Sequence, residues 1–154
     1  MSRYFVGIGL SLVLACASAC REAPTNNDPK NRLKEYIHKT FNVRSVDERK
    51  DLMSYLVGDA KTRLETWSDD QFELAFMSKK RQNPVLVFKE TRKASDDEVN
   101  ITYEINYSDR VNNSEAKVTN KKICYLVRQK DDWFIRECRN LKELIEYQNE
   151  MSLP

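Results

Sequence analysis

Apolar residues in the first half of the chain recur at the spacing of an α-helix. Asp28 and Pro29 can start the first helix, because an N-cap acceptor precedes a residue suited to the first helical position. One apolar stripe follows at spacings of three to four residues, formed by Leu33, Tyr36, Ile37 and Phe41. These positions predict a helix with one buried face.

Three more helices are predicted before the first strand. The sequence SVDE at 45–48 fits a capping box for the second helix, which ends at Gly58. The third is predicted over 59–67. Ser68 caps the fourth, and Pro84 prevents its continuation.

After Pro84 the apolar residues alternate with polar ones, which is the spacing of β-strands. Residues 99–107 predict the clearest strand, since five apolar residues alternate there with four polar ones. Further strands are predicted at 85–88, about 115–129 and 133–138. Asn140 is expected to cap a short C-terminal helix whose apolar residues are Leu141, Leu144, Ile145 and Tyr147.

This order of elements predicts an α+β fold, because runs of helices and runs of hairpin-linked strands are separated along the chain. We expect the N-terminal helices to pack on a curved four-stranded antiparallel meander, followed by the short terminal helix. One folded domain is expected over residues 29–150.

The N-terminus has the pattern of an export signal at residues 1–19. Arg3 supplies a positive charge, and the uncharged stretch 4–15 is shorter than the ~20 apolar residues that cross a bilayer. Cys20 follows three small residues and resembles the cysteine of a bacterial lipobox, which is acylated after cleavage. Cys16 offers a competing frame with a large aliphatic residue three positions earlier.

Cysteine parity favours Cys20 as the lipidated residue. Cleavage before Cys20 removes Cys16 and leaves residues 20–28 as a lipidated tether, whereas cleavage before Cys16 leaves a stray thiol. An ordinary cleaved signal without lipid is the remaining alternative. If Cys20 is acylated, we expect a lipoprotein on the periplasmic side of the bacterial envelope, anchored in the outer rather than the inner membrane.

The other two cysteines are expected to form a disulfide across the last hairpin. If Asp131 centres the turn, Cys124 lies opposite Cys138, close enough for a bond in a non-hydrogen-bonded pair. Two reduced thiols are the alternative. The same register puts five residues on the core face: Ile123, Tyr125, Val127, Trp133 and Ile135.

Composition excludes several functions. The net charge is +2, and positive and negative residues are interspersed along the chain, so no strongly charged partner is implied. Nucleic acid is also not expected as a partner, because an exported protein seldom meets it. Gly58 is the only glycine after the signal segment, which argues against glycine-rich phosphate or dinucleotide sites. The basic cluster at 79–81 fits a solvated helix end or a weak contact with anionic lipid.

Few residues could carry chemistry. His38 is the only histidine, so no histidine-based metal cluster is predicted, and no cofactor is implied. Paired aspartates lie at predicted helix starts and turns, where they satisfy free N–H groups. Glu137 is one candidate for a base beside the sheet.

The layout resembles the NTF2-like superfamily, in its subset of small bacterial lipoproteins. The likeness covers residues 29–139 and is carried by helices before a meander and by the last hairpin, KKICYLVRQKDDWFIRECRN. The resemblance implies a cone with a pocket between sheet and first helix. Enzymes of this superfamily place Asp, His and Tyr in that pocket, and no matching triplet occurs in this sequence, so no catalytic residue is assigned.

These expectations combine into a membrane-anchored envelope lipoprotein that binds a small apolar ligand or a protein partner without catalysis. One alternative is a small isomerase-like or dehydratase-like enzyme that uses a buried acid, and another is a purely structural envelope component. If the protein has a pocket, its predicted wall consists of Tyr103, Ile105, Tyr107, Tyr125 and Trp133. For Tyr125 and Trp133 a place in the filled core is the favoured alternative.

Overall fold

A computed structural model describes residues 28–78, 81–111 and 114–147. The helices are α1 Pro29–Asn42, α2 Arg49–Met53, α3 Gly58–Thr66 and α4 Asp69–Phe76, with a 3-10 turn at Val46–Glu48. The strands are β1 Gln82–Lys93, β2 Glu98–Val111, β3 Ser114–Gln129 and β4 Asp132–Tyr147. They pair in the order β1-β2-β3-β4, each antiparallel to the next. The predicted α+β meander with N-terminal helices is confirmed.

The predicted export segment lies outside the described residues. This applies to the signal at 1–19, to Cys16 and Cys20, and to the tether except Asp28. Among the described helices, none combines the length and the apolar character needed to cross a membrane.

The predicted starts of α1 and α4 are confirmed by their hydrogen bonds, whereas the second predicted helix begins with the 3-10 turn and ends at Met53 instead of Gly58. The Asp28 carboxylate accepts from the Lys30 amide at 2.9 Å, with Pro29 in the first turn of α1. Ser68 and Gln71 exchange side-chain and backbone hydrogen bonds of 2.9 and 3.2 Å at the start of α4. The capping box at Ser68 and Gln71 defines the first turn of α4.

The helices cover one face of the sheet, which we call the helix face. On β2 the odd-numbered residues from Val99 to Asp109 are buried on this face, as the alternating pattern predicted. The largest fully buried side chains come from both layers: Phe72, Leu33, Leu52, Ile101, Leu126 and Ile135. Each such side chain contributes about 1.5–3 kcal/mol through burial, so the core joins helices and sheet into one unit.

The predicted C-terminal helix is wrong, because residues 140–147 continue strand β4. They pair with the first half of β3, and Ile145 lies opposite Val118. The apolar spacing of Leu141, Leu144 and Ile145 fits a helix, but pairing with the 16-residue β3 overrides that local preference. Leu141 is the extra residue of a β-bulge within β4.

A second bulge corrects the predicted register of the last hairpin. Cys124 faces Cys138 as predicted, but Leu126 faces Ile135, so Arg136 is an extra residue on β4. The even-numbered residues of β3 therefore lie on the helix face, with Cys124 and Leu126 buried. The prediction that Ile123, Tyr125 and Val127 face the core is wrong, whereas Trp133 and Ile135 are buried as predicted.

The segment between α2 and α3 covers part of the free edge of β4. The Ile135 amide donates to the Tyr55 carbonyl at 2.9 Å, and the Val57 amide donates to the Ile135 carbonyl at 3.0 Å. These bonds form a short parallel bridge beside β4. The chain then turns into α3 at Gly58, whose φ is 57°.

We expect Gly58→Ala to lower the free energy of unfolding by about 1 kcal/mol, because a residue with a Cβ is strained at positive φ. Space is not the cause, since the nearest atom to an added Cβ would be Arg136 Cγ at 3.7 Å. Urea unfolding measures the loss. The matched control is Lys130→Gly, which removes a side chain at φ 58° and should stabilise. A lower free energy of unfolding in both variants would contradict the argument that positive φ strains a residue with a Cβ.

Candidate functional site

A small cavity lies between the helices and strand β4. Its volume is about 150 Å³. Most of its wall is apolar and comes from α3, α4, β4 and the segments next to them: Leu56, Ala60, Leu64, Trp67, Phe76 and Ile135. Tyr36 of α1, Arg63 of α3 and Cys138 of β4 complete the lining. Residues of the short helices line one side of the gap and residues of β4 line the other.

Aromatic rings hold the shape of this cavity. The rings of Trp67 and Phe76 lie 6.1 Å apart at 45°, and Phe72 packs behind Phe76 at 4.9 Å. The Arg49 guanidinium lies 5.0 Å from the Phe72 ring and donates to the Trp67 carbonyl at 3.0 Å. Tilted ring pairs of this kind are favourable beyond their burial alone. These contacts connect the aromatic residues of the wall to one another and to Arg49.

Two residues of the lining, Tyr36 and Arg63, carry polar groups that differ in charge. Burial raises the pKa of Tyr36 to about 12, so its hydroxyl stays neutral at physiological pH. The Arg63 guanidinium is solvent-exposed at the rim and carries a fixed positive charge. The site thus combines an apolar interior, a neutral hydroxyl and one cation.

The disulfide lies at the sheet side of the cavity. The sulfur atoms of Cys124 and Cys138 are at bonding distance, which confirms the predicted pair. Their Cα atoms are 4.1 Å apart. Cys124 is fully buried, and the Tyr103 hydroxyl lies 3.9 Å from its sulfur. The bond joins β3 to β4 beside the bulge at Arg136, so it fixes the strand that carries Ile135 and Cys138.

The five residues predicted to form a pocket wall do not line this cavity. Tyr103, Ile105, Tyr107 and Trp133 are less than 10% exposed and belong to the core. The Tyr107 hydroxyl accepts a hydrogen bond from the Asn120 amide at 3.2 Å, and burial raises the pKa of both Tyr103 and Tyr107. These side chains are packed, as the core alternative predicted.

Tyr125 differs from the other four because it lies on the opposite face of the sheet. Its cross-strand neighbours are Asn100 and Glu137. The Arg139 guanidinium is 5.6 Å from its ring, within the range of a cation–π contact. Tyr125 is therefore separated from the cavity by the sheet itself.

Glu137 does not have the properties of a buried base. Two hydrogen bonds from Arg139, of 2.8 and 3.0 Å, are the main reason that its pKa lies below its ordinary value. The nearby positive charges of Arg139 and Arg63 lower the pKa further. A general base for isomerase-like chemistry needs a raised pKa, so this carboxylate is a poor candidate.

The remaining candidate groups are at the surface. His38 is exposed on α1 next to Asn42, and Asp69 pairs with Arg49 at 2.7 Å at the start of α4. Within residues 28–78, 81–111 and 114–147, no three His, Cys, Asp or Glu side chains cluster closely enough to hold a metal ion.

A wider groove of about 610 Å³ lies between the end of α1 and the start of β1. Its wall is more polar and includes His38, Arg44 and Arg81. Arg81 is already engaged, since it donates to the Ala75 carbonyl at 2.7 Å and lies 5.0 Å from the Phe41 ring. The smaller cavity has the more apolar interior and is the better site for an apolar ligand.

Sequence reasoning missed the helical side of the site. The sequence places Tyr36 in the apolar stripe of the first helix and Trp67 at the end of the third. Helical periodicity identifies the face that turns inward, but it does not show where neighbouring short helices leave space.

A comparison with protein-family models and with curated proteins finds no match for this sequence. The observed order of helices and strands agrees with the resemblance to the NTF2-like superfamily, but many α+β proteins share such an order. Membership of that superfamily stays a prediction.

Proposed function

We propose that this protein is a lipid-anchored envelope lipoprotein whose folded domain binds a small apolar carboxylic acid. The observation that carries the proposal is the cavity of about 150 Å³ with an aromatic and aliphatic wall, Tyr36 in its lining and the exposed Arg63 at its rim. A cavity of this size takes a molecule of about the size of benzene. A single aromatic ring or a branched short aliphatic chain therefore fits.

The polar groups suggest how such a ligand would be oriented. The apolar body enters between Trp67 and Ile135, where its burial supplies most of the affinity. The carboxylate stays at the rim and accepts charge-assisted hydrogen bonds from Arg63. Tyr36 is neutral and can donate a further hydrogen bond. Binding is favoured over acid–base catalysis because the lining that the structure describes includes no carboxylate or histidine.

We expect Ala60→Leu to weaken binding of benzoate by at least tenfold, because the larger side chain occupies part of the cavity. Ala60 lines the site, whereas Ala94 lies in the exposed turn between β1 and β2, so Ala94→Leu is the matched control. Isothermal titration calorimetry with benzoate and isovalerate as probes measures both. Equal affinities for the two variants would contradict the location of the site.

The role of Arg63 is tested with a neutral probe. Arg63→Gln should weaken the binding of benzoate and leave the affinity for benzyl alcohol nearly unchanged, because only the carboxylate interacts with the guanidinium charge. The fluorescence of Trp67, which lines the cavity, reports both titrations. If the variant lost both ligands equally, the apolar pocket rather than the charge would determine affinity and the acid specificity would be wrong.

The membrane anchor is a separate part of the proposal. It rests on the sequence pattern before Cys20 and on cysteine parity. Mass spectrometry of the full-length product, expressed with its own N-terminus, should show cleavage after residue 19 and an acyl mass on Cys20. Cys20→Ser should abolish the acyl mass, while Cys16→Ser should retain it. The reverse result would move the mature N-terminus to Cys16.

A further inference from the structure

The second half of β4 is a free sheet edge with exposed apolar side chains. The bridge from residues 55–57 reaches β4 only at Ile135. Among the described strands, none pairs with the outer edge of residues 139–147, because β4 is the last strand of the sheet. Exposure is between 39% and 53% for the four large apolar residues of this segment: Leu141, Leu144, Ile145 and Tyr147. Such an edge is a ready template for another strand.

The other edge of the sheet is protected in a way that this one is not. Strand β1 contains Pro84, which has no N–H to donate to a partner strand. Its second half is covered with charge, since Lys93 pairs with Asp96 and Arg92 with Glu90. The second half of β4 also carries charges, at Lys142, Glu143 and Glu146, but it contains no proline, and its exposed apolar residues lie between these charges. An interaction between strands is therefore expected at β4.

The charges of β4 indicate what kind of strand it accepts. On the face opposite the helices, Lys142 lies directly across from Lys121 of β3, and Glu104 of β2, on the other side of Lys121, offsets this like-charge contact only in part. Leu144 and Glu146 follow on the same face, across from Thr119 and Lys117. The edge thus presents a cation, a leucine and an anion at successive alternate positions, which is self-complementary in an antiparallel pair.

We propose that a second copy of this chain pairs with β4 antiparallel, about a two-fold axis that passes through Leu144. In this register Leu144 lies opposite Leu144 of the partner subunit. Lys142 lies opposite Glu146 of the partner subunit, and the same pair forms again on the other side of the axis. Each Lys142 then lies between Lys121 and a carboxylate, which relieves the like-charge contact.

Neighbouring registers are less favourable. An axis through Glu143 would oppose two glutamates, and an axis through Lys142 would oppose two lysines. An axis through Ile145 would leave Lys142 without its carboxylate. An axis between two residues would align the helix face of one sheet with the opposite face of the other, because side chains alternate along a strand. The register centred on Leu144 is the one that satisfies both charges.

The product is a continuous eight-stranded sheet with both helical layers on the same face. In this register Ile145 lies next to Glu143 of the partner subunit, and Leu141 lies at the end of the pair, opposite Tyr147 of the partner subunit. The contact is confined to one strand from each copy, which is at the low end of specific interfaces, so we expect a dissociation constant in the micromolar range. The inference does not rest on the cavity or on its ligand.

Charge reversal tests the register directly. Sedimentation velocity of the full chain in mild detergent should show a concentration-dependent dimer. Lys142→Glu and Glu146→Lys should each raise the dissociation constant at least tenfold, and the double variant should restore it, because each contact takes one charge from each copy. Lys34→Glu, on the exposed side of α1, is the control for net charge. Thermal melting checks that each variant is folded.

Cross-linking supplies a second test that does not depend on charge. Leu144→Cys should form an intermolecular disulfide under mild oxidation, because the two residues lie opposite each other at the axis. Val85→Cys on β1, at 56% exposure, is the matched control and should not cross-link. Any of three results would overturn the proposal. The wild type could remain a monomer at about 100 μM, the double variant could stay dissociated, or Val85→Cys could cross-link as much as Leu144→Cys.

Discussion

Replacing Trp133 with alanine is expected to lower the free energy of unfolding by about 3–5 kcal/mol, the usual cost of removing a large aromatic side chain from a core. Trp133 is 6% exposed and packs in the cluster that joins the helices to the sheet. The Arg128 guanidinium lies 5.9 Å from its ring. Arg32 donates to the Trp133 carbonyl at 3.1 Å, and this bond survives the substitution, so the loss reports the side chain alone.

The matched control for this prediction is Trp67→Ala. Trp67 is half-buried, and part of its ring faces the cavity rather than the core. Its removal should cost less, about 1–2 kcal/mol. Urea unfolding monitored by far-ultraviolet circular dichroism compares the two. A near-neutral Trp133→Ala would mean that this residue lines open space, as the pocket prediction required, and that the packed core described above is wrong.

The helical half of the fold could be predicted from the sequence because local chemistry determines it. Asp28, Pro29 and Ser68 act through hydrogen bonds and dihedral angles within a few residues of themselves. The alternation of apolar and polar residues in β2 also matches the structure, because successive side chains of a strand with one buried face point alternately to the core and away from it. These signals need no knowledge of distant partners.

The end of the chain could not be predicted in this way. The spacing of Leu141, Leu144 and Ile145 is compatible with an amphipathic helix, and it is equally compatible with a strand that contains a bulge. The choice is made by β3, whose first half would otherwise lack a partner on that side. Bulges such as the one at Arg136 have no dependable local signal, and each one reverses which side chains face the core beyond it. This is why Tyr125 was assigned to the wrong face.

The candidate site was harder to predict than the fold, because a cavity forms where side chains of neighbouring elements do not fill the space between them. Tyr103 and Trp133 have the size and polarity expected of a pocket wall, but the helices pack directly on them. The gap arises instead beside Ala60, where a small side chain in α3 faces Trp67 and Ile135. Such a gap depends on the angle between elements, and the one-dimensional pattern does not contain that angle.

The second large effect is expected from loss of the disulfide. The double variant Cys124→Ala/Cys138→Ala should be less stable by about 3 kcal/mol, because the bond closes a short loop and its absence frees the unfolded chain. The two cysteines are separated by 14 positions in sequence. The folded meander itself should persist, since Ile101, Leu126 and Ile135 remain buried around the site. Urea unfolding of the oxidised protein, the reduced protein and the double variant measures the difference.

Single variants show whether the loss comes from the bond or from packing. In Cys124→Ala the remaining Cys138 thiol lines the cavity and should react quickly with a maleimide, whereas in Cys138→Ala the fully buried Cys124 should react only as the protein unfolds. Peptide mass spectrometry identifies the labelled residue. Reductant should destabilise the wild type and leave the double variant unchanged. If reductant had no effect on the wild type, the two cysteines would be unpaired in the native protein, and stability beside the cavity would come from side-chain packing alone.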